Sequence, residues 1–251
     1  MKITEIAART ILTKTGIGGL DYCLNPYTGC GHGCRYCYAT FMKKYSGHEE
    51  PWGEFVDAKV NAPDLLKREL RRRREGEVIL SSVTDPYQPL EARFKLTRAC
   101  LELLAMSDLS VSILTKSALV TRDLDIFKRM GNLEVGLTVT TDREEMRKLF
   151  EPHASSIAAR IEALKTLKTA GIATHAFIGP LLPMDPEALA EALAPHIERV
   201  MIDRMNYPWK VRETYRRHNL MEALEEQYFQ DTTEALAHEL TSRGVGVEVV
   251  G

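Results

Sequence analysis

The feature that most constrains the fold of this 251-residue chain is an alternation of short apolar runs with longer segments of helical periodicity. The runs are often β-branched and are followed by Gly, Pro, Asp or Ser, which is typical of buried parallel strands. The predicted strands are Val78–Leu80, Val111–Leu114, Val135–Val139, Ala176–Ile178 and Val200–Ile202, preceded by a first strand at Leu24–Tyr27.

The segments between these runs predict helices. The clearest helix covers 156–170, where apolar residues recur every three or four positions, a serine can cap the start and Gly171 ends it. Pro63 and Asp64 suit another helix start, and Gly76 its end. Further helices are predicted over 96–106, 122–130 and 186–197, followed by a helical region over 213–243 and a short strand over 244–250.

Strand and helix alternate six times, which predicts an α/β fold of parallel strands joined by right-handed crossovers. An open sheet and a partial barrel both satisfy this pattern, and in either the functional site lies at the carboxyl ends of the strands. We expect a single domain over 1–251, with a core at about 20–205 and a C-terminal helical extension at about 206–251.

The composition is that of a globular protein. Hydrophobic residues make up 44% and charged residues 27%, which excludes a disordered chain. No apolar run approaches the roughly 18 to 20 residues of a membrane span, and the start of the chain lacks the apolar core of a signal peptide, so we expect a cytoplasmic protein. The net charge of -2 argues against a uniformly positive surface but not against a local basic groove.

Four of the five cysteines lie within fifteen residues, and an odd count fits a disulfide framework poorly. In a reducing compartment such a cluster indicates metal binding or redox chemistry. Cys30, Cys34 and Cys37 form a C-x3-C-x2-C pattern of soft thiolate ligands, suited to zinc or to an iron–sulfur cluster. A zinc site needs a fourth ligand, for which Cys23 and His32 are candidates.

The cysteine triplet, with Tyr36 before its last member, resembles the signature of the radical S-adenosylmethionine (SAM) superfamily. The resemblance implies a partial (β/α)6 TIM-like barrel in which Cys30, Cys34 and Cys37 hold a [4Fe–4S] cluster and SAM chelates the fourth iron. An electron from the cluster then cleaves SAM to methionine and a 5′-deoxyadenosyl radical, which abstracts hydrogen from a substrate. It also implies a reductant such as flavodoxin or ferredoxin.

Further motifs are similar to the spore photoproduct lyase-like branch, whose members are often labelled "DNA repair photolyase". The likeness spans about 20–205, and it rests on Asn25–Cys30, Cys37–Ala39, Ser82–Pro89, Thr115–Ser117 and Arg160–Leu164. One position departs from the branch. The spore lyase carries a hydrogen-donor cysteine where Ser82 stands, and a serine O–H bond is too strong to quench a carbon radical readily. Repair of spore photoproduct itself is therefore in doubt.

The resemblance and the strand ends together indicate cofactor-binding residues. Tyr36 is expected to contact the SAM adenine through its backbone, and Lys116 to pair with the SAM carboxylate. Either Thr138 or Thr140 is expected to face the ribose. The alternative for Asp85 is a simple Asp-Pro turn. The alternative for Lys116 is a surface lysine, and the alternative for Arg160 is a side chain that only covers its helix. The full set is Tyr36, Ser82, Thr84, Asp85, Lys116, Thr138, Thr140 and Arg160.

Candidate substrate contacts are concentrated late in the chain. The stretch 204–218 interleaves basic residues with Tyr207, Trp209 and Tyr215, a combination that holds single-stranded nucleic acid or a flipped base. An amphipathic helix packed on the barrel is the alternative. The predicted substrate residues are Tyr38, Tyr87, His175, Tyr207, Trp209, Arg212 and Arg216. A second basic run, 67–74, is expected to be a solvated helix end.

Three functions remain open from the sequence. The first is a radical SAM enzyme acting on DNA or RNA, with lyase-like or nucleic-acid-modifying chemistry. The second is the same chemistry on a protein or small-molecule substrate. The third is a non-enzymatic metal- or iron–sulfur-binding protein.

Overall fold

The computed structural model describes residues 1–72 and 75–250. Arg73 and Arg74 of the basic run therefore lie outside the described residues. The strands are β1 Lys2–Ile6, β2 Leu12–Lys14, β3 Tyr22–Leu24, β4 Tyr27–Thr28, β5 Phe55–Lys59, β6 Glu77–Leu80, β7 Ser110–Thr115, β8 Leu133–Thr138, β9 Ala173–Ile178, β10 Arg199–Asp203 and β11 Gly246–Val250.

The main sheet has eight strands in the order β11-β10-β9-β8-β7-β6-β3-β2. All neighbouring pairs from β3 to β11 are parallel, and β2 pairs antiparallel with β3. The predicted α/β fold, a partial TIM-like barrel of parallel strands, is confirmed. The predicted strand at the C-terminus is β11, which extends the sheet beyond β10.

The helices are α1 Lys43–Ser46, α2 Ala62–Glu69, α3 Glu91–Phe94, α4 Leu96–Leu104, α5 Leu124–Phe127, α6 Glu144–Phe150, α7 Ile157–Thr169, α8 Pro186–Leu193, α9 Arg212–Arg217 and α10 Glu226–Ser242. Short 3-10 turns lie at Tyr38–Met42, Leu70–Arg72, Ala118–Asp123, Ala194–His196, Pro208–Lys210 and Met221–Leu224. The strand-to-helix units bury a continuous core between the sheet and the helices. No helix in the described part of the chain has the length and apolar character that a membrane crossing requires.

Several predicted elements differ in extent from the observed ones, and the helix predicted over 122–130 is reduced to α5, Leu124–Phe127, after a 3-10 turn at Ala118–Asp123. The first barrel strand ends at Leu24 rather than running to Tyr27, because Asn25 turns its side-chain oxygen to accept from the amides of Ser82 and Val83, at 3.0 and 3.1 Å. The helical region over 213–243 is interrupted, because Asn219 adopts a left-handed φ of 56° after α9.

A second, three-stranded sheet of order β1-β5-β4 was not predicted from the sequence. In this sheet β1 pairs with β5 across more than fifty positions, as in the register of Lys2 with Phe55, and β4 pairs antiparallel with β5, as in the register of Tyr27 with Ala58. This small sheet lies beside the cysteine-bearing loop, since β4 leads directly into that loop and β5 packs behind it.

Candidate active site

One cavity of about 270 Å³ lies at the carboxyl ends of the barrel strands. Its walls contain the three clustered cysteines together with polar residues that follow β6, β7 and β8. Of the residues predicted from the sequence, those lining it are Cys30, Cys34, Tyr36, Cys37, Tyr38, Ser82, Thr84, Asp85, Lys116, Thr138 and Tyr207.

The cysteines are carried by a loop, 29–37, whose backbone passes close to β5. Gly29 has a φ of 82°, and a Cβ there would lie 2.5 Å from the Phe55 carbonyl oxygen. Gly33 also has a left-handed φ, of 62°. Glycine adopts such conformations without the steric cost that other residues would carry. The glycines between the cysteines therefore allow the loop to turn tightly against the small sheet.

Two side chains from the segment after β6 fix this loop. Gln88 is fully buried, donates from Nε2 to the Gly29 carbonyl at 3.2 Å, and accepts from the Gly31 amide at 2.9 Å. Thr84 Oγ1 donates to the same Gly29 carbonyl at 2.6 Å. Buried polar groups that are fully paired in this way hold a loop in one conformation.

Asp85 connects the loop to the strands. Its carboxylate accepts from Thr115 Oγ1 at 2.6 Å and from the Lys116 amide at 2.8 Å, and it lies 3.3 Å from His32 Nε2. Burial by itself disfavours the charged form, but the His32 ring and these hydrogen bonds outweigh it and lower the pKa of Asp85 to about 2. A fixed negative charge therefore lies beside the cysteine loop.

A buried ion pair supports Tyr36 from behind. The Tyr36 hydroxyl and the Arg160 guanidinium both donate to Glu151, and Thr140 Oγ1 donates to it at 3.1 Å. Arg160 Nη1 also donates to the Thr138 carbonyl at 2.9 Å. Burial opposes ionisation of Glu151, but Arg160 and Lys116 outweigh it and hold its pKa below the usual value. Thr140 and Arg160 therefore do not line the cavity. They contact Glu151, which in turn contacts Tyr36 at the cavity wall.

The three thiols share one environment. Burial raises the pKa of Cys30 to about 12 and also raises the pKa values of Cys34 and Cys37. Such thiols become thiolates when a metal replaces their protons. No group of three His, Cys, Asp or Glu side chains within 1–72 and 75–250 converges on a single-ion site. The three soft donors instead surround a shared space, which fits a cluster larger than one ion.

The two candidates for a fourth zinc ligand have other neighbours, although His32 also lines the cavity. Cys23 lies on β3, where its sulfur is 3.1 Å from Thr13 Oγ1 and 3.5 Å from Asn25 Nδ2. His32 is directed to Asp85 through Nε2 and to the His153 carbonyl through Nδ1, at 3.2 Å. The residues present therefore offer three protein thiols to the cavity and leave one position of a cluster for another ligand.

The mouth of the cavity is formed by the segment after Cys37 and by the loop after β10. The Lys210 ammonium donates to the Cys37 carbonyl at 2.7 Å and to Thr40 Oγ1, which ties the two together. The Tyr38 hydroxyl donates to the Ser82 carbonyl. Burial raises the pKa of Tyr38 to about 12, with smaller contributions from Cys37 and neighbouring Tyr207.

Two predicted substrate residues lie in the core instead of the cavity. Tyr87 is fully buried because the turn after Asp85 directs its ring inward, where its hydroxyl donates to Asp123 at 3.0 Å. His175 is buried within β9, with Nδ1 3.2 Å from Glu134 Oε1 and its ring against Gly136. Neither is positioned to touch a molecule in the cavity.

Three others lie beyond the mouth. Trp209 lines a neighbouring cavity of about 350 Å³. Arg212 and Arg216 lie on α9, and Arg216 pairs with Glu213 at 2.7 Å. None of these three side chains lines the first cavity.

Several lining residues were not predicted from the sequence. Asp203 and Asn206 follow β10 and hydrogen-bond to each other at 3.0 to 3.1 Å, and burial raises the pKa of Asp203. Glu151, immediately after α6, organises the wall from behind. The position of Asp203 at a strand end was a usable signal. Nothing in the local pattern around Glu151 marks it.

The fold and the cavity together define a class of protein. Its members have a partial barrel of parallel strands, with a cluster site of three cysteines at the carboxyl ends of the strands. Residues 24–194 match the model of the radical SAM superfamily, and the chain belongs to that superfamily. It is an enzyme, and its cofactors are a [4Fe–4S] cluster and SAM, as the resemblance implied. The zinc and non-enzymatic alternatives are thereby wrong.

Relatives extend across archaea, bacteria and viruses. An uncharacterized protein of Methanocaldococcus jannaschii is 43% identical over 73% of this chain and 69% of its own length. An uncharacterized protein of Mycobacterium tuberculosis is 34% identical over 64% of this chain and 50% of its own length. A protein of Pseudomonas phage M6, named radical SAM Nalpha-GlyT isomerase, is 24% identical over 63% of this chain and 32% of its own.

Solved structures share the fold. Spore photoproduct lyase complexed with dinucleoside spore photoproduct superimposes with a TM-score of 0.70, covering 98% of this chain and 81% of that chain at 17% identity. Streptococcus suis SuiB bound to SAM gives a TM-score of 0.61, covering 91% of this chain and 47% of that chain at 12% identity. The predicted likeness to spore photoproduct lyase is thus confirmed at the level of fold.

Proposed function

We propose that this radical SAM enzyme abstracts hydrogen from a nucleic acid or nucleotide, held at the mouth of the three-cysteine cavity. The observation that carries the proposal is the mouth itself. The cavity opens beside Tyr207 and the basic, aromatic stretch 204–218, which is the kind of surface that binds a polyanion with stackable bases.

Within the cavity, Cys30, Cys34 and Cys37 hold the cluster. When bound, the cluster and SAM supply a 5′-deoxyadenosyl radical that abstracts hydrogen. Lys116 pairs with the SAM carboxylate, because its ammonium lies at the cavity wall, 5.7 Å from the centroid of the Tyr36 ring. Ser82, Thr84 and Asp85 would provide polar contacts at the end of the neighbouring strand, β6.

The wall nearest Tyr36 serves the adenosine part of SAM. Tyr36 contacts the adenine through its backbone, and its side chain is immobilised by Glu151. Thr138 is the threonine that faces the ribose, since it lines the cavity while Thr140 donates to Glu151. Arg160 acts through the same carboxylate and is a positioning residue.

The substrate is held further out by Tyr38, Tyr207 and Trp209, with Arg212 and Arg216 contacting phosphates. Lyase chemistry on a DNA lesion is one reaction that fits, but Ser82 cannot donate hydrogen to a product radical as a cysteine would. We infer that the barrel and the extension 206–251 work as one domain, since Lys210 anchors the extension to the cluster loop.

A reductant such as flavodoxin or ferredoxin supplies the electron, and the cytoplasm is the compartment we propose. Five free cysteines are consistent with reducing surroundings.

The proposal is tested by binding and by hydrogen transfer. The anaerobically reconstituted protein, given SAM and dithionite, should bind DNA or RNA oligonucleotides with an affinity that falls as salt rises. Replacement of Arg212 by Gln should weaken that binding, because this side chain lies beyond the mouth without a carboxylate partner among the described residues. Absence of binding at low salt, with SAM cleavage intact, would instead point to a protein or small-molecule substrate.

A further inference from the structure

A row of exposed aromatic rings leads outward from the cavity. Tyr38, Phe41 and Tyr45 lie on the short helical segment after the last cysteine, and their exposures are 46%, 49% and 73%. Ring centroids are 6.5 Å apart for Tyr38 and Phe41, and 6.4 Å apart for Phe41 and Tyr45. Tyr38 lines the cavity, so the row begins at the site and continues to the surface. Such a contiguous exposed set marks an interaction surface.

A second pair of rings flanks the same mouth. Tyr207 lines the cavity, and Trp209, 67% exposed, packs edge-on against it with centroids 5.2 Å apart. Lys210 joins the two aromatic groups, since it reaches across to Cys37 and Thr40 and lies 5.2 Å from the Tyr207 ring centroid. The aromatic surfaces are therefore held at a fixed separation.

The segment that carries the row has a positive charge. Residues 34–46 contain Arg35, Lys43 and Lys44 and no acidic residue. Lys43 is held by the Glu49 carbonyl, which leaves its charge unneutralised. Within 1–72 and 75–250, Arg35 and Lys44 have no carboxylate partner. A hydrophobic peptide would leave these cations unpaired, whereas a phosphate backbone would pair with them.

We propose that Tyr38, Phe41 and Tyr45 form a stacking platform for an unpaired strand of nucleic acid, which passes between this row and Tyr207 and Trp209. The inference rests on the proposed function and narrows its substrate class to single-stranded or locally unpaired nucleic acid. The physical reason is access: the faces of bases are available for stacking on side chains only when the bases are not stacked within a duplex.

The test compares one labelled oligonucleotide, roughly 12 nucleotides long, as a single strand and as a duplex, by fluorescence anisotropy with the reconstituted full chain and SAM. The variants are Phe41→Leu and Tyr45→Leu, which keep an apolar side chain but remove the ring. Each should weaken single-strand binding about tenfold and leave the salt dependence of binding unchanged. Lys44→Gln should instead reduce the salt dependence.

Met106→Ala is the matched control. Met106 is 74% exposed and follows the end of α4, which runs back toward the amino ends of the strands, away from the mouth. Its replacement should not alter binding. Circular dichroism verifies that each variant is folded.

The outcomes separate the two proposals. Wild-type affinity in both ring variants, or duplex binding as tight as single-strand binding, would overturn the stacking platform. If hydrogen transfer from the oligonucleotide persists in that case, the proposed function survives alone. If no nucleic acid binds to any form, both fail.

Discussion

The cysteine loop and the cavity mouth meet at Cys37 and Tyr38 and differ sharply in how they are held. The loop, 29–37, is fixed by buried groups from two other segments: Gln88 on one side, and the Phe150 carbonyl with the adjacent Glu151, behind Tyr36, on the other. The mouth segments, 38–45 and 205–210, present exposed rings. Lys210 connects them through its hydrogen bond to the Cys37 carbonyl.

This difference implies that the loop determines the reaction of the cofactors, whereas the mouth determines which substrate is bound. Buried, fully paired polar groups define one geometry, as a cluster and SAM require. Substitution of exposed rings and cations costs little folding stability, so these residues can vary with the substrate. We expect substitutions in the loop to abolish the reaction and substitutions in the mouth to change what reacts.

The largest effect is expected in the loop itself. Alanine at Cys30, Cys34 or Cys37 should abolish both cluster binding and SAM cleavage, because each removes one of three protein ligands. Iron content and 5′-deoxyadenosine, measured after anaerobic reconstitution, report this. Cys100→Ala is the control: Cys100 is buried in α4, so it should lose about 1 kcal/mol of stability and retain the cluster.

The next effect tests the support behind Tyr36. Glu151→Ala leaves the fully buried Arg160 without its partner, which should cost about 3 to 5 kcal/mol of unfolding free energy. Urea denaturation measures this. Glu213→Ala, which breaks exposed pairs to Arg216 and Arg217, should cost under about 1 kcal/mol. Equal losses would contradict the contrast between the buried support behind the loop and the exposed ion pairs of α9.

A pH-dependent effect tests Asp85. Its pKa is lowered from 3.8 to about 2 in the folded chain, so its stabilisation is present above the unfolded value and is lost as the pH falls through the folded value. Asp85→Asn should therefore cost about 2 kcal/mol at neutral pH, and its difference from wild type should shrink between pH about 4 and about 2. A difference independent of pH in urea denaturation would rule out this role.

The smallest effect on stability is expected for Lys210. Lys210→Met should change the unfolding free energy by about 1 kcal/mol or less, because its contacts are partly exposed. It should nonetheless speed hydrogen exchange of amides in 38–45 and 205–210. Lys210→Arg retains hydrogen-bond donors and serves as the comparison. If exchange rises equally in 29–37, the loop and the mouth are not independent.

The sequence predicted those parts of the fold that depend on local pattern. The parallel strands, α7 with its Ser156 cap, and the cysteine triplet are all readable within short windows. The small sheet was not predicted, because β1 pairs with β5 across more than fifty residues and β4 is only two residues long.

The same limit applies to the site. Lys116 and Asp85 were found because strand ends converge at one edge of a barrel. Glu151 was not, since its importance comes from contacts with Tyr36 and Arg160 that only the folded chain creates. Phe41 and Tyr45 were not singled out from the sequence, because their exposure beside the cavity is a tertiary property.

The most direct test of the central claim follows deuterium from substrate to cofactor product. The anaerobically reconstituted protein is incubated with SAM, dithionite and a single-stranded oligonucleotide deuterated in its sugars and bases, and 5′-deoxyadenosine is analysed by mass spectrometry. We predict that 5′-deoxyadenosine acquires deuterium, and that Phe41→Leu and Tyr45→Leu lower the amount at limiting oligonucleotide. Formation of 5′-deoxyadenosine that never carries deuterium from DNA or RNA would contradict the account.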